Sequence, residues 1–146
     1  MKVQMFKQEE YKFLSNMYPV NIDEYKSVES FYVAMKTKDK TIRAQICQMN
    51  GFYAKKFGRT LVIREDWDAI KLDVMRYALN KKFAAGTDLA NKLLATGHIE
   101  LVETNNWHDN FWGDCYCYKC ANTKGENHLG RMLMEIRENL RKDNGG

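Results

Sequence analysis

From Asn127 to Arg141 the apolar residues Leu129, Leu133, Ile136 and Leu140 recur every three or four positions, the repeat of one face of an α-helix. A longer stretch from Glu65 to about Ala84 carries two such rows. Ile70, Val74, Tyr77 and Ala78 lie on one side, and Leu72, Met75 and Leu79 on another. A helix apolar on two sides is predicted to be central, and Gly86 stops it. Ser27 is a good N-cap for a helix with Val28, Phe31, Tyr32 and Met35 as its inward row. A further helix is predicted from Asp39 to Met49, with Ile42 and Ile46 inward and Gly51 past its end. Thr87 caps a short one to Ala95, which Gly97 closes.

What remains is short. Tyr11 to Tyr18 reads as an extended segment entering a turn at Pro19, Asn21 to Tyr25 as a strand or loop, and Phe52 to Phe57 as a short segment closed by Gly58. Leu61-Val62-Ile63 and Ile99 to Val102 are strand candidates by β-branching and brevity. The expected fold is a predominantly helical α+β single domain over 1–146 with a few short strands, its polar end 142–146 a disordered tail. One proline and nine glycines leave no linker. No apolar run reaches the roughly 20 residues of a membrane span. Met1 to Glu10 lacks the apolar centre of a signal peptide, so a cytoplasmic protein with no membrane partner is expected.

The net charge of +4 suits a phosphate-bearing substrate without demanding one. Glu29 falls in the first turn of the helix capped by Ser27, where the helix dipole favours an anion by about 0.3–1 kcal/mol. Most first-turn acids are structural, yet an ionised one suits a general base. Lys36 stands seven positions on, along the same face. It reads as a salt-bridge partner, a phosphate ligand or a Schiff-base nucleophile, with a solvated lysine as the plainer alternative. Trp67, at the start of the long helix, is by default a core residue, and otherwise a stacking surface for a base.

The densest cluster is Asn105 to Asp114, with carboxamides, acids, a histidine and three aromatics within ten residues. Neither a core segment nor a plain surface loop carries that mixture, and a pocket lining does. Asp109 is the natural second carboxylate. Next to it lies Cys115-x-Cys117-x-x-Cys120. Three cysteines make an incomplete zinc set, which His108, Asp114, His128 or Cys47 would have to finish; a simple cysteine-bearing loop is the preferred reading, and no cofactor is expected.

In order along the chain, Phe13-Leu14-Ser15-Asn16, Ser27-Val28-Glu29 and Ala34-Met35-Lys36 resemble the N-terminal motifs of the NADAR, or YbiA-like, family. Gly58-Arg59, Arg64-Glu65-Asp66-Trp67, Lys71 and Val74-Met75 are similar to its central motif. Thr96-Gly97, Leu101-Val102-Glu103, Asp109-Asn110-Phe111-Trp112-Gly113, Gly125-x-Asn127-x-Leu129-Gly130 and Leu133-Met134-x-Ile136-Arg137 follow. Two features depart from the pattern: Ser30-Phe31 after Ser-Val-Glu, and the cysteine-rich insert.

The resemblance implies an N-glycosidase that cleaves a base or amine from ribose C1. The implied substrates are phosphorylated ribosylamino-pyrimidine intermediates of riboflavin synthesis, or ADP-ribose on guanine in nucleic acid. Such a reaction builds positive charge on the ribose ring, which a pair of carboxylates stabilises. Glu29 is assigned to the ribose face and water activation, and Asp109 to proton transfer or orientation. Lys36, with Lys71 behind it, is assigned to a covalent imine route. Asn16, Trp67, Phe111, Trp112, Gly113 and Asn127 are assigned to substrate binding. The competing readings are a non-catalytic ADP-ribose or nucleotide-binding module, and a zinc-loop protein that binds nucleic acid.

Overall fold

A computed structural model describes residues 5–145. The chain divides into two units, Asn16–Lys82 and Met1–Ser15 with Phe83–Gly146.

The unit Asn16–Lys82 is built of four helices: α1 (Val28–Ala34), α2 (Lys40–Ile46), α3 (Gly51–Gly58) and α4 (Trp67–Lys82). Local side-chain chemistry starts three of them. Ser27 Oγ accepts the Ser30 N–H at 3.1 Å, and Asp39 Oδ1 accepts those of Thr41 and Ile42. Asn50 Oδ1 accepts the Tyr53 N–H. Gly51 therefore opens a helix where the sequence suggested that it closes one.

Helix α1 packs on α2, α3 and α4. Its Val28, Val33 and Ala34 are buried with Ile46, Ala54, Met75, Ala78 and Leu79. Only part of the double-faced row on α4 is covered, since Tyr77 is exposed. Leu61 to Ile63 is not a strand: the Leu61 N–H turns back to the Gly58 carbonyl, and Val62 is 92% exposed. Ile22 and Tyr25 form a lone antiparallel bridge around a turn at Asp23.

In the second unit, Glu9–Leu14 winds into a 3-10 helix instead of extending, which buries Phe13 and Leu14 side by side. Helix α5 (Asp88–Ala95), capped by Thr87, packs on α6 (His128–Gly145). Leu93 of α5 and the predicted row Leu129, Leu133, Ile136 and Leu140 of α6 are buried in this unit's core. Helix α6 runs on through Asp143 and Asn144, the stretch expected to be a disordered tail. Ile99 to Val102 is not a strand either. The sheet consists of β1 (Thr104–Asn105) and β2 (Asp114–Cys115), paired in parallel with Asn105 opposite Cys115. No helix among the described residues is long and apolar enough to cross a membrane.

Candidate active site

Within Asn16–Lys82, α1 carries Glu29 but ends at Ala34, so Lys36 lies in the turn two residues past the helix that was expected to carry both. Glu29 is half-buried in the first turn, and its N–H donates to the Asn16 carbonyl at 3.0 Å. Tyr32 and Lys36 follow at helical spacing, the Lys36 ammonium 5.4 Å from the Tyr32 ring centroid. Trp67 meets Tyr32 edge to face at 5.0 Å and is itself buried, so packing takes up most of its surface.

Arg64 brings these groups together. Its N–H donates to the Lys36 carbonyl at 2.8 Å, and its guanidinium grips the Asp66 carboxylate through two bonds, of 2.6 and 2.9 Å. The end of α1 is thereby tied to the start of α4.

Burial pushes the Lys36 amine below the ordinary lysine range. The Glu29 carboxylate opposes that shift, and the charges of Lys55 on α3 and Lys71 on α4 add to it. One acid and two amines, drawn from α1, α3 and α4, thus bear on the Lys36 amine. Beside them the side-chain oxygen of Asn16 is buried with no hydrogen-bond partner, while its amide nitrogen donates to Met75 Sδ at 3.7 Å. An orphaned buried acceptor costs about 1–3 kcal/mol.

Sequence reasoning missed one group in this unit. Lys82, the last residue of α4, is 2% exposed, and burial pushes its amine down to about 7. Its ammonium lies 5.6 Å from the Tyr18 ring. A lysine closing a helix reads as a solvated charge that favours the dipole, so no sequence signal marks its burial.

In the second unit the polar-aromatic cluster is a tightly hydrogen-bonded loop. Asn105, almost fully buried, donates from Nδ2 to the Asp109 carbonyl and accepts the N–H groups of Trp107 and Asp109 on Oδ1. Asp109 Oδ1 accepts the N–H groups of Phe111 and Trp112 at 3.1 and 2.9 Å. This carboxylate shapes the turn that presents the two aromatics. Phe111 and Trp112 stand nearly perpendicular at 4.9 Å, and the His128 ring lies 4.5 Å from Phe111.

The carbonyls of Phe111, Trp112 and Gly113 accept the N–H groups of His128, Leu129 and Asn127, satisfying donors that the start of α6 would otherwise leave open. Both ends of the Asn127 amide are engaged by backbone: Nδ2 donates to the Leu101 carbonyl and Oδ1 accepts the Glu103 N–H. Gly113 is required by crowding, because a Cβ there would overlap the Glu103 carbonyl and carboxylate. These two positions hold the loop against its neighbours. The sulfur atoms of Cys115, Cys117 and Cys120 and a ring nitrogen of His108 gather within 4.8 Å of one another.

A mostly helical α+β chain with an acid–lysine–aromatic cluster belongs with the fold of Escherichia coli YbiA, solved by NMR. That structure superimposes with a TM-score of 0.78 at 32% identity, over 94% of this chain and 82% of the other. The chain is also 40% identical, over 90% of its length and 86% of the relative's, to an N-glycosidase of Nostoc punctiforme. It is 36% identical over 92% of its length to a riboflavin biosynthesis protein of Vibrio vulnificus, of which it spans 37%. The NADAR domain is matched over residues 5–141, and the chain belongs to that family.

Proposed function

We propose that this chain hydrolyses the C1–N bond of a phosphorylated ribosylated substrate, either a ribosylamino-pyrimidine intermediate of riboflavin synthesis or ADP-ribose on guanine in nucleic acid. As a NADAR-domain protein with relatives named N-glycosidases, it is a hydrolase acting on N-glycosyl bonds. The observation that carries the finer reading is Lys36, in the turn after α1, felt by Lys55 of α3, Lys71 of α4 and the Glu29 carboxylate of α1.

Cleavage of the bond places positive charge on the ribose ring, which an ionised Glu29 stabilises while it orients the attacking water. The three amines suit the substrate phosphates. The open acceptor of Asn16 suits a ribose hydroxyl. Asp109 positions Phe111 and Trp112 through the turn it holds.

A covalent route is favoured by one specific observation. Lys36 is both desolvated and set beside other cations, the two conditions that make a lysine amine nucleophilic. Opening of the ribose ring leaves C1 joined to the base nitrogen as an imine. The Lys36 amine adds at C1, and the base nitrogen takes a proton and leaves as the C1–N bond breaks. Water then hydrolyses the lysine imine to the ribose aldehyde and free Lys36.

For the substrate, the riboflavin reading is supported by the name of the Vibrio vulnificus relative. The nucleic-acid reading is supported by α3, where exposed Phe52 and Tyr53 neighbour Lys55, Lys56 and Arg59 in sequence. Both substrates are incubated with the protein and released base is scored by mass spectrometry. Glu29→Gln is expected to fold with unchanged circular dichroism and to lose about 100-fold or more in turnover. A wild-type rate in that variant refutes the assignment.

A further inference from the structure

We propose that the segment from His108 through β2 to Cys120 holds one structural zinc ion through Cys115 Sγ, Cys117 Sγ, Cys120 Sγ and His108 Nδ1. The four ligand atoms lie within 4.8 Å of one another. Nδ1 of His108 is 3.3 Å from Cys117 Sγ and 3.4 Å from Cys120 Sγ. A tetrahedral ion with bonds of about 2.3 Å to sulfur and 2.0–2.1 Å to nitrogen sets the nitrogen–sulfur edge at about 3.5 Å. Two of the three nitrogen–sulfur edges therefore stand within a few tenths of an ångström of the length that a metal would impose. None of these cysteines is in a disulfide, and a disulfide would use only two of the three sulfurs and leave the histidine unaccounted for.

The surroundings fit a metal centre as well as the ligands do. The Cys117 N–H donates to Cys115 Sγ and Asn110 Nδ2 donates to Cys120 Sγ, both at 3.4 Å, so two sulfurs receive the hydrogen bonds that temper thiolate charge. Asn110 Oδ1 accepts the Cys115 N–H at 2.9 Å, so the same amide orients two ligand residues. His108 has φ of +67°, a conformation uncommon for a side-chain-bearing residue, and it aims the ring at the sulfurs. Cys115 and Cys120 are buried while His108 is exposed, which leaves an entry path on the imidazole side.

Three thiolates and an imidazole form a soft set that selects zinc over magnesium or calcium. Each thiol gives up its proton to solvent as it binds. Four protein ligands close the coordination sphere, so the ion is structural, with no position open to water or substrate. It clamps residues 108–120, the segment that carries Asp109, Phe111 and Trp112.

The test is metal analysis of the full chain expressed in zinc-supplemented medium and purified without chelator, followed by cobalt(II) replacement. One zinc per chain is expected. The cobalt form should show sulfur-to-metal charge transfer and the intense visible bands of tetrahedral coordination. Cys117→Ser, and separately His108→Gln at the exposed ligand, should reduce zinc to background or shift the cobalt bands, whereas Cys47→Ser leaves both unchanged. Wild-type protein with background zinc and no cobalt charge-transfer band overturns the proposal. So does a zinc content and cobalt spectrum that neither ligand variant alters. Because the cobalt spectrum is read on wild-type protein, a variant that fails to fold does not remove the test.

Discussion

Replacing Lys82 with methionine should make the protein more stable and remove a specific part of its pH dependence. The amine is 2% exposed, and burial holds it at about 7 against an ordinary 10.5. At about 1.4 kcal/mol per pH unit, keeping this group in the fold near neutrality costs about 5 kcal/mol. Methionine fills a similar volume without that cost but gives up the contacts of the amine, the Tyr18 ring among them, worth about 1–2 kcal/mol. A net gain of about 3 kcal/mol near pH 7 is expected for Lys82→Met.

The sign of the pH effect follows from the lowered folded-state value. Between about 7 and 10.5 the unfolded chain holds a proton at Lys82 that the folded chain has released, so raising the pH favours the fold. Below about 7 the amine is protonated in both states and its contribution is flat. Urea unfolding of both proteins from pH 6 to 9.5 measures this directly, because all other titrating groups cancel in the difference. The advantage of the variant should be constant below pH 7 and shrink by about 1.4 kcal/mol per pH unit above it. Parallel profiles, or a variant less stable than wild type at pH 7, would refute the reasoning.

Three further outcomes test the loop and the lysine. Asp109→Ala strips the acceptor from two backbone N–H groups and should lose about 1–3 kcal/mol, read as a lower urea midpoint, whereas Asp109→Asn keeps an acceptor oxygen and most of the stability. An alanine variant as stable as wild type would show that the turn does not need its carboxylate. Gly113→Ala drives a Cβ into the Glu103 backbone and should cost about 3 kcal/mol, against about 1 kcal/mol for Gly86→Ala, which has φ of +84° and open space around it. Equal losses at the two glycines would count against the close approach. Borohydride added during turnover should fix the ribosyl part of the substrate on Lys36, located by peptide mass spectrometry. Turnover without any adduct would remove the covalent route and leave the Glu29 route standing.

The helices were legible in the sequence because their signals are local. Ser27, Asp39 and Thr87 cap the helices expected of them through atoms two or three residues away, and the row from Leu129 to Leu140 lies along one face of one helix. The ordered motifs were enough to indicate the family, whereas the end of α1 at Ala34, short of Lys36, was not read from the periodicity. Strands were misplaced at Leu61 to Ile63 and Ile99 to Val102 because β-structure depends on a partner that propensity does not supply; the actual pair joins residues ten apart, Thr104 to Asp114 and Asn105 to Cys115. Tertiary packing alone decided that Lys82 is buried, that Lys55 and Lys71 bear on Lys36, and that the Asn16 oxygen has no partner. It also chose His108 over Asp114, His128 and Cys47 as the fourth member of the cysteine cluster. Periodicity and capping act over one helical turn, whereas desolvation, charge coupling and ligand geometry are sums over neighbours that the chain brings together only when it folds.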